Sequence, residues 1–230
     1  MSQFPEFKYF VQPALFEYGE TITGKLELLP QMWYVAEALA SPSSANRRAA
    51  LEFIYEQQVA KFSPLISYLL MTRIDEPDIN MRQDIISLLA DVLQPDNDGI
   101  TATDQVRIVL YESFSQLDQN KILSILKTAE TDPLLEPQVE VLLGASANAG
   151  DHLSQILLDR EQPLEIRELA VKYIGRVGFL DAEPALKRIA HRLEAKFDGQ
   201  QIMPFSRLDH KDELLLLPAI KSALYYLQAI

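Results

Sequence analysis

The 230-residue chain contains no cysteine. That single absence removes disulfides, thiolate metal ligands and cysteine nucleophiles, and leaves nothing that requires an oxidising compartment. Histidine is nearly as scarce. His152, His191 and His210 stand alone, with no second histidine or His-Glu pair at helical spacing to build a metal site. The 8 glycines form neither a Gly-x-Ser-x-Gly elbow nor a phosphate-cradling loop, because Gly175-Arg-Val-Gly178 closes a helical pattern and follows no strand. Ser113, Ser115 and Ser146 have no histidine near them in sequence to act as a base. Catalytic residues, a cofactor and a metal are therefore not expected.

Long apolar runs are missing too. Leu214 to Leu217 is the longest run of leucine, far below the roughly 18 residues that span a bilayer, and the opening Met-Ser-Gln-Phe-Pro-Glu-Phe lacks a basic region followed by an apolar one. These features predict a cytoplasmic protein with no membrane partner. Positive charge is the minority sign: 21 Lys and Arg against 33 Asp and Glu give a net −12 and a pI near 4.7. Such a balance repels phosphate backbones and argues against a nucleic-acid partner. Asp96-Asn97-Asp98-Gly99 has the middle of a calcium loop, but the template's first and last positions fall on Gln94 and Gln105, so the bidentate carboxylate is absent.

What the chain does have is helical periodicity. Pro163 suits a first helical turn, and Glu165 and Glu168 set negative charge near the positive end of the helix dipole. Ile166, Ala170 and Ile174 recur at every fourth place with Leu169, Tyr173 and Val177 beside them, while Glu168, Lys172 and Arg176 point elsewhere. Gly178 tolerates positive φ and ends this helix. Asp181 is placed to cap the next, whose Ala185, Leu186, Ile189, Ala190 and Leu193 form a second stripe. So short a turn predicts an antiparallel pair. The run Glu-Ile-Arg-x-x-Ala-Val-x-x-Ile-Gly-x-x-Gly, followed by Asp-Ala-x-Pro-Ala-Leu, resembles the HEAT-like repeat also found in bilin lyases. The resemblance is most specific over residues 163–195 and implies an all-α, right-handed superhelix of helical pairs.

The same frame recurs. With Arg47 set on Arg167, Asn46, Ala50, Leu51 and Ile54 fall on Ile166, Ala170, Val171 and Ile174. Met81-Arg82 with Ile85 and Leu89, Val106-Arg107 with Leu110 and Phe114, and Val139-Glu140 with Leu143 and Ala147 follow it. The steps between copies are 35, 25, 33 and 27 residues, scattered about the roughly 30 to 47 of helical-pair repeats. The short step from Arg82 to Arg107 means that a partner helix is missing or that helix parity changes around 94–103. Partner helices are expected near 61–73, 119–130 and 150–159, with Asp118 and Asp151 as caps. A last helix is expected over 213–228, in which Pro218 either makes a kink or marks the true start. This amounts to about five or six pairs in a solenoid over 28–230, interrupted by an insertion at 197–212. Residues 1–27, rich in aromatics (Phe4, Phe7, Tyr9, Phe10, Phe16, Tyr18), are expected to cap the first repeat.

The repeated arginines read as structural, their stems packed and their guanidinium groups bonded to the carbonyls of joining loops, because no wider basic patch accompanies them. Trp33 and Tyr34 read as core at their spacing from Ala36, Leu39 and Ala40. Five places after each arginine or its equivalent lie Glu52, Ser87, Glu112, Ala145 and Lys172, a mostly polar face. Glu52, Glu112 and Lys172, with Met203 and Phe205 of the insertion, are the candidate partner-binding residues. The function expected is a non-enzymatic scaffold whose curved face meets a protein partner with basic patches. The resemblance implies an alternative, a bilin (tetrapyrrole) lyase or isomerase, although no chromophore residue of that family carries over to a position here. A HEAT-like DNA glycosylase needs a basic channel that this charge does not supply.

Overall fold

Stretches in which apolar residues recur every third or fourth place gain more by turning one stripe inward than by any extended pairing, and here they are helical. The computed structural model describes residues 29–95, 99–202 and 211–229. It contains eleven α-helices of nine residues or more and no strand among these residues. They are α1 (Pro30–Ala40), α2 (Ser44–Gln57), α3 (Pro64–Thr72), α4 (Ile79–Leu93), α5 (Asp104–Ser115) and α6 (Gln119–Thr131). After these come α7 (Glu136–Ala145), α8 (Ala149–Leu158), α9 (Leu164–Val177), α10 (Glu183–Ile202) and, after a single helical turn at Lys211–Leu214, α11 (Leu216–Gln228). None of the helices among the described residues is long and apolar enough to cross a membrane.

The contacts group into two compact units: Met1–Thr72 with Val92–Leu110, and Arg73–Asp91 with Tyr111–Ile230. In the first unit α1 packs on α2 and α3. Its core takes Met32, Val35, Ala36 and Leu39 from α1, Ala50, Leu51 and Ile54 from α2, and Ile66 and Leu70 from α3. Trp33 is not part of it. It is 59% exposed, because the buried stripe of α1 runs through Met32, Val35, Ala36 and Leu39 and leaves Trp33 on the other side; Tyr34 is likewise exposed.

No helix occupies the described residues between α4 and α5, so the partner helix is absent there. The buried Lys61 holds that connection. Its Nζ donates to the carbonyl of Ile100 at 3.2 Å, and its own carbonyl accepts from the Thr103 N–H at 3.0 Å. A buried ammonium needs such partners, since isolated it is costly to desolvate.

In the second unit α9 is central: it packs on α6, α7, α8 and α11, and α8 packs in turn on α6. Its inward stripe is Ile166, Ala170, Tyr173 and Ile174, each large member contributing about 1.5–3 kcal/mol by leaving water. The neighbour that approaches α9 most closely is α11, where α10 was expected. A Cβ on Gly175 would lie 2.7 Å from the Cα of Ala223, so glycine is what permits the two backbones to meet. Helix α10 lies instead on α11 and on the short 3₁₀ turn Leu180–Ala182. Its expected stripe of Ala185, Leu186, Ile189, Ala190 and Leu193 is buried.

Local signals fared unevenly. Asp118 caps α6, its Oδ1 accepting the Lys121 N–H at 2.9 Å, and Gly178 ends α9 with φ 90°. Pro163 stands one residue before α9, and Pro218 falls in the first turn of α11, marking a start and not a kink. Asp181 does not cap α10. Its carboxylate lies against Gly150 in the first turn of α8, 2.5 Å from where a Cβ would be, and so faces the positive end of that helix, whose Asn148 makes no side-chain cap. Asp151 sits inside the same first turn, and Ala147 is exposed in the connection after α7 instead of continuing its stripe. Helix α10 runs on to Ile202, into the stretch read as an insertion. The cap segment 1–27, Met203 and Phe205 lie outside the described residues.

Candidate functional site

Helix α9 carries a second row beside its buried stripe. Glu165, Glu168, Leu169, Lys172 and Arg176 recur three and four apart, so they share one side of the helix. This row forms one wall of a groove of about 460 Å³. The end of α6 contributes Ala129 and Glu130, the start of α7 contributes Glu136, and α11 closes the groove with Ala219, Ala223 and Tyr226. The close approach at Gly175 gives it a shallow floor of small side chains. A second hollow of about 460 Å³ continues past Arg176 and Tyr226, which line both, toward Glu140 and Ala229.

Charge is distributed along the groove in two parts. The row on α9 places acids near its N-terminus and bases near its C-terminus, as the helix dipole favours. The bases are held by carboxylates of α7: Lys172 Nζ pairs with Glu136 Oε1, and Arg176 Nη1 donates to Glu136 Oε2 at 2.9 Å and to Glu140 Oε1 at 2.8 Å. The hydrogen bond from Lys172, reinforced by Arg176, holds the Glu136 carboxyl below its ordinary value. The bond to Glu140 raises that of Arg176. The two cations are thus largely neutralised in place. At the other end Glu130, Glu165 and Glu168 are exposed and have no ion-pair partner among the described residues.

Next to this ladder on α9 lies Tyr173, fully buried, with a hydroxyl that has no hydrogen-bond partner. Burial pushes its ionisation upward, and the negative charges of Glu136 and Glu140 push it further. Such a phenol stays neutral near pH 7 and makes a poor general base.

Of the residues expected to meet a partner, Lys172 lines the groove. Glu52 is exposed on α2 in the first unit and Glu112 is exposed on α5 in the second, but neither lines it. Glu136, Glu140 and Arg176 were missed, although the sequence holds a trace of them. Two acids four apart and two bases four apart face each other at a constant separation of 36 residues. Glu140, which departs from arginine in the repeating frame, is the residue that receives Arg176. Tyr226 had no such signal, standing beside Tyr225 and the buried Leu227.

The repeated arginines do not form an anion ladder. Arg47 Nη1 donates to the carbonyls of Ser41 at 3.0 Å and Pro42 at 2.9 Å. Arg167, only 5% exposed, donates from Nε to the Leu157 carbonyl at 2.9 Å. Its Nη2 lies 3.6 Å from Glu213 Oε1, which Arg160 approaches to 3.0 Å. These two fill the structural role expected of them. Among the described residues the side chain of Arg107, which is exposed, reaches only Asp104, at 3.8 Å, and the Nε of Arg82 is buried without a hydrogen bond.

Comparison of the chain with family models, with curated proteins and with solved structures gives no match in any of the three. The groove is therefore read from its own residues. It offers free carboxylates, an apolar floor and an aromatic edge.

Proposed function

We propose that the chain is a HEAT-like helical-repeat scaffold, without enzymatic activity, that binds a protein partner through the basic patches of that partner. The observation that carries this reading is the groove on α9, where the exposed Glu130, Glu165 and Glu168 stand free above an apolar floor while the two cations beside them are already neutralised. In a chain of net −12 such a surface favours positive partners, both in steering and in register. The repeat reading draws support from the burial of Ile54, Ile85, Leu110, Leu143 and Ile174, one from each copy of the frame. It also fits the order in which α7, α9 and α11 neighbour one another. A right-handed superhelical course and a cytoplasmic setting belong to the same proposal. A tetrapyrrole, whose propionates need free cations, finds Lys172 and Arg176 engaged, so the groove favours the protein reading over the bilin one.

The test is affinity capture from the native host with the wild-type chain and with Glu165→Lys/Glu168→Lys, both confirmed folded by circular dichroism. A recurrent basic protein, lost on charge reversal, is the expected result. Equal recovery on both chains, or an added visible absorption band with biliverdin and no recurrent protein, sinks the reading.

A further inference from the structure

The division of charge along the groove says more about its occupant than that it is basic. We infer that the groove takes an extended segment of the partner, with one unmodified lysine in the pocket of Glu130, Glu165 and Glu168 and an uncharged aromatic or aliphatic residue against Tyr226. This rests on the scaffold reading above and specifies what that scaffold recognises.

Three observations lead there. The first is length. From Glu165 to Arg176 a helix advances about 16 Å at roughly 1.5 Å per residue, which an extended chain covers in about five residues at roughly 3.3 Å each. The second hollow prolongs the path beyond Arg176 and Tyr226. A long, shallow groove suits a strand-like segment better than the convex face of a folded domain.

The second is the shape and charge of the acidic end. Leu169, with Ala219 one turn before Ala223 on α11, offers an apolar surface on which the methylene stem of a lysine can lie. The carboxylates come from two helices, Glu130 from α6 and Glu165 and Glu168 from α9. Acids drawn from separate elements suit a compact ammonium with three donors better than the flat two-pronged face of a guanidinium.

The third is the other end. There the two bases of α9 and the two acids of α7 cancel, so a charged residue gains little. The ring of Tyr226, exposed on α11 and flanked by Tyr225 at 6.2 Å between centroids, offers an aromatic surface instead. The segment is therefore polar at one end and apolar at the other, with a fixed direction along α9.

The probe is a set of fluorescein-labelled hexapeptides, each with one lysine and a phenylalanine two, three or four places away in either direction, in a Gly/Ser background. Anisotropy is read at about 0.15 M salt, where long-range attraction is screened. At least one peptide is expected to bind below roughly 1 mM. Its Nε-acetyl-lysine form should bind roughly tenfold more weakly, since only the charged head is lost. Glu165→Lys/Glu168→Lys should weaken binding by at least that factor. Glu52→Lys/Glu112→Lys, the same change of net charge away from the groove, should leave it within about twofold, and Tyr226→Ala should weaken the phenylalanine peptides alone. Failure of every peptide to bind, indifference to acetylation, or equal loss in the two charge-reversal variants overturns the inference. Any of these results alongside a partner captured by the wild type and lost on groove reversal leaves the scaffold standing and removes only the extended lysine segment.

Discussion

Arg47 and Arg167 hold the same place in the repeating frame, one in each compact unit, and they make the same kind of bond to very different effect. Each turns its guanidinium back to the end of the helix before it, Arg47 to the Ser41 and Pro42 carbonyls after α1 and Arg167 to the Leu157 carbonyl in the last turn of α8. The Ser41 and Leu157 carbonyls are among the groups a helix terminus leaves without partners. Arg47 remains half-buried on a helix whose Glu52 and Tyr55 are exposed. Arg167 is enclosed, because α9 is packed by α6, α7, α8 and α11 and because the buried Glu213 comes up against it. The bond is the same at these two positions, and the surroundings decide its energetic weight.

The largest effect is therefore expected at Arg167. Arg167→Ala strands the Leu157 carbonyl and removes one of the cations beside the buried Glu213, which keeps Arg160, itself half-exposed, at 3.0 Å. Breaking a buried pair by removing one member typically costs 3–5 kcal/mol. Because Arg160 remains, a loss of about 3 kcal/mol is expected in urea unfolding. Adding Glu213→Leu should recover more than half of it, which a double-mutant cycle measures as coupling. If the double variant is as unstable as the sum of the singles, the buried acid is not what distinguishes α9 from α2.

Arg47→Ala should cost about 1 kcal/mol in the same assay, the usual net value of a hydrogen-bonded side chain whose acceptors can turn to water. The Pro42 carbonyl lies in an exposed turn and rehydrates when the guanidinium leaves. A loss equal to that of Arg167→Ala would shift the weight to the carbonyl bonds the two arginines share.

The same contrast separates what the sequence discloses from what it hides. Stripes such as Ile85 with Leu89 and Leu110 with Phe114 are legible because a helix brings residues four apart onto one side whatever lies beyond it. Which helix then covers the stripe is not local. The meeting of α9 with α11 turns on Gly175 and Ala223, and in sequence Gly175 reads only as part of a helix ending. Trp33 was misjudged for a related reason: a period of four admits more than one face of α1, and α2 and α3 select the one through Met32 and Val35. Asp181 satisfies the rule for a cap, but its carboxylate lies against Gly150 in the first turn of α8 and not at the start of α10. In the groove Lys172 was legible as an outward residue, whereas its bond to Glu136 spans 36 residues. Setting Glu140 on Arg167 in the frame conceals that Glu140 bonds Arg176. Glu165 and Glu168 were read for their effect on the helix dipole, and only the walls supplied by α6 and α11 turn them into part of a site.

Arg107 gives the smallest expected effect and the sharpest control. It holds the frame position of Arg47 and Arg167, but no helix immediately precedes α5, so there is no helix end for it to close. Lys61 does the comparable work on that connection, bonding the Ile100 carbonyl and the Thr103 N–H. What remains to Arg107 is an ion pair at 3.8 Å between side chains 55% and 90% exposed, a geometry worth little once solvent and salt screen it. Arg107→Ala should change unfolding stability by less than about 0.5 kcal/mol, whereas removal of the Lys61 side chain should be felt. A loss at Arg107 as large as that at Arg47 would mean that the frame position carries stability by itself, and the contrast between the two units would then lie in the motif and no longer in what surrounds it.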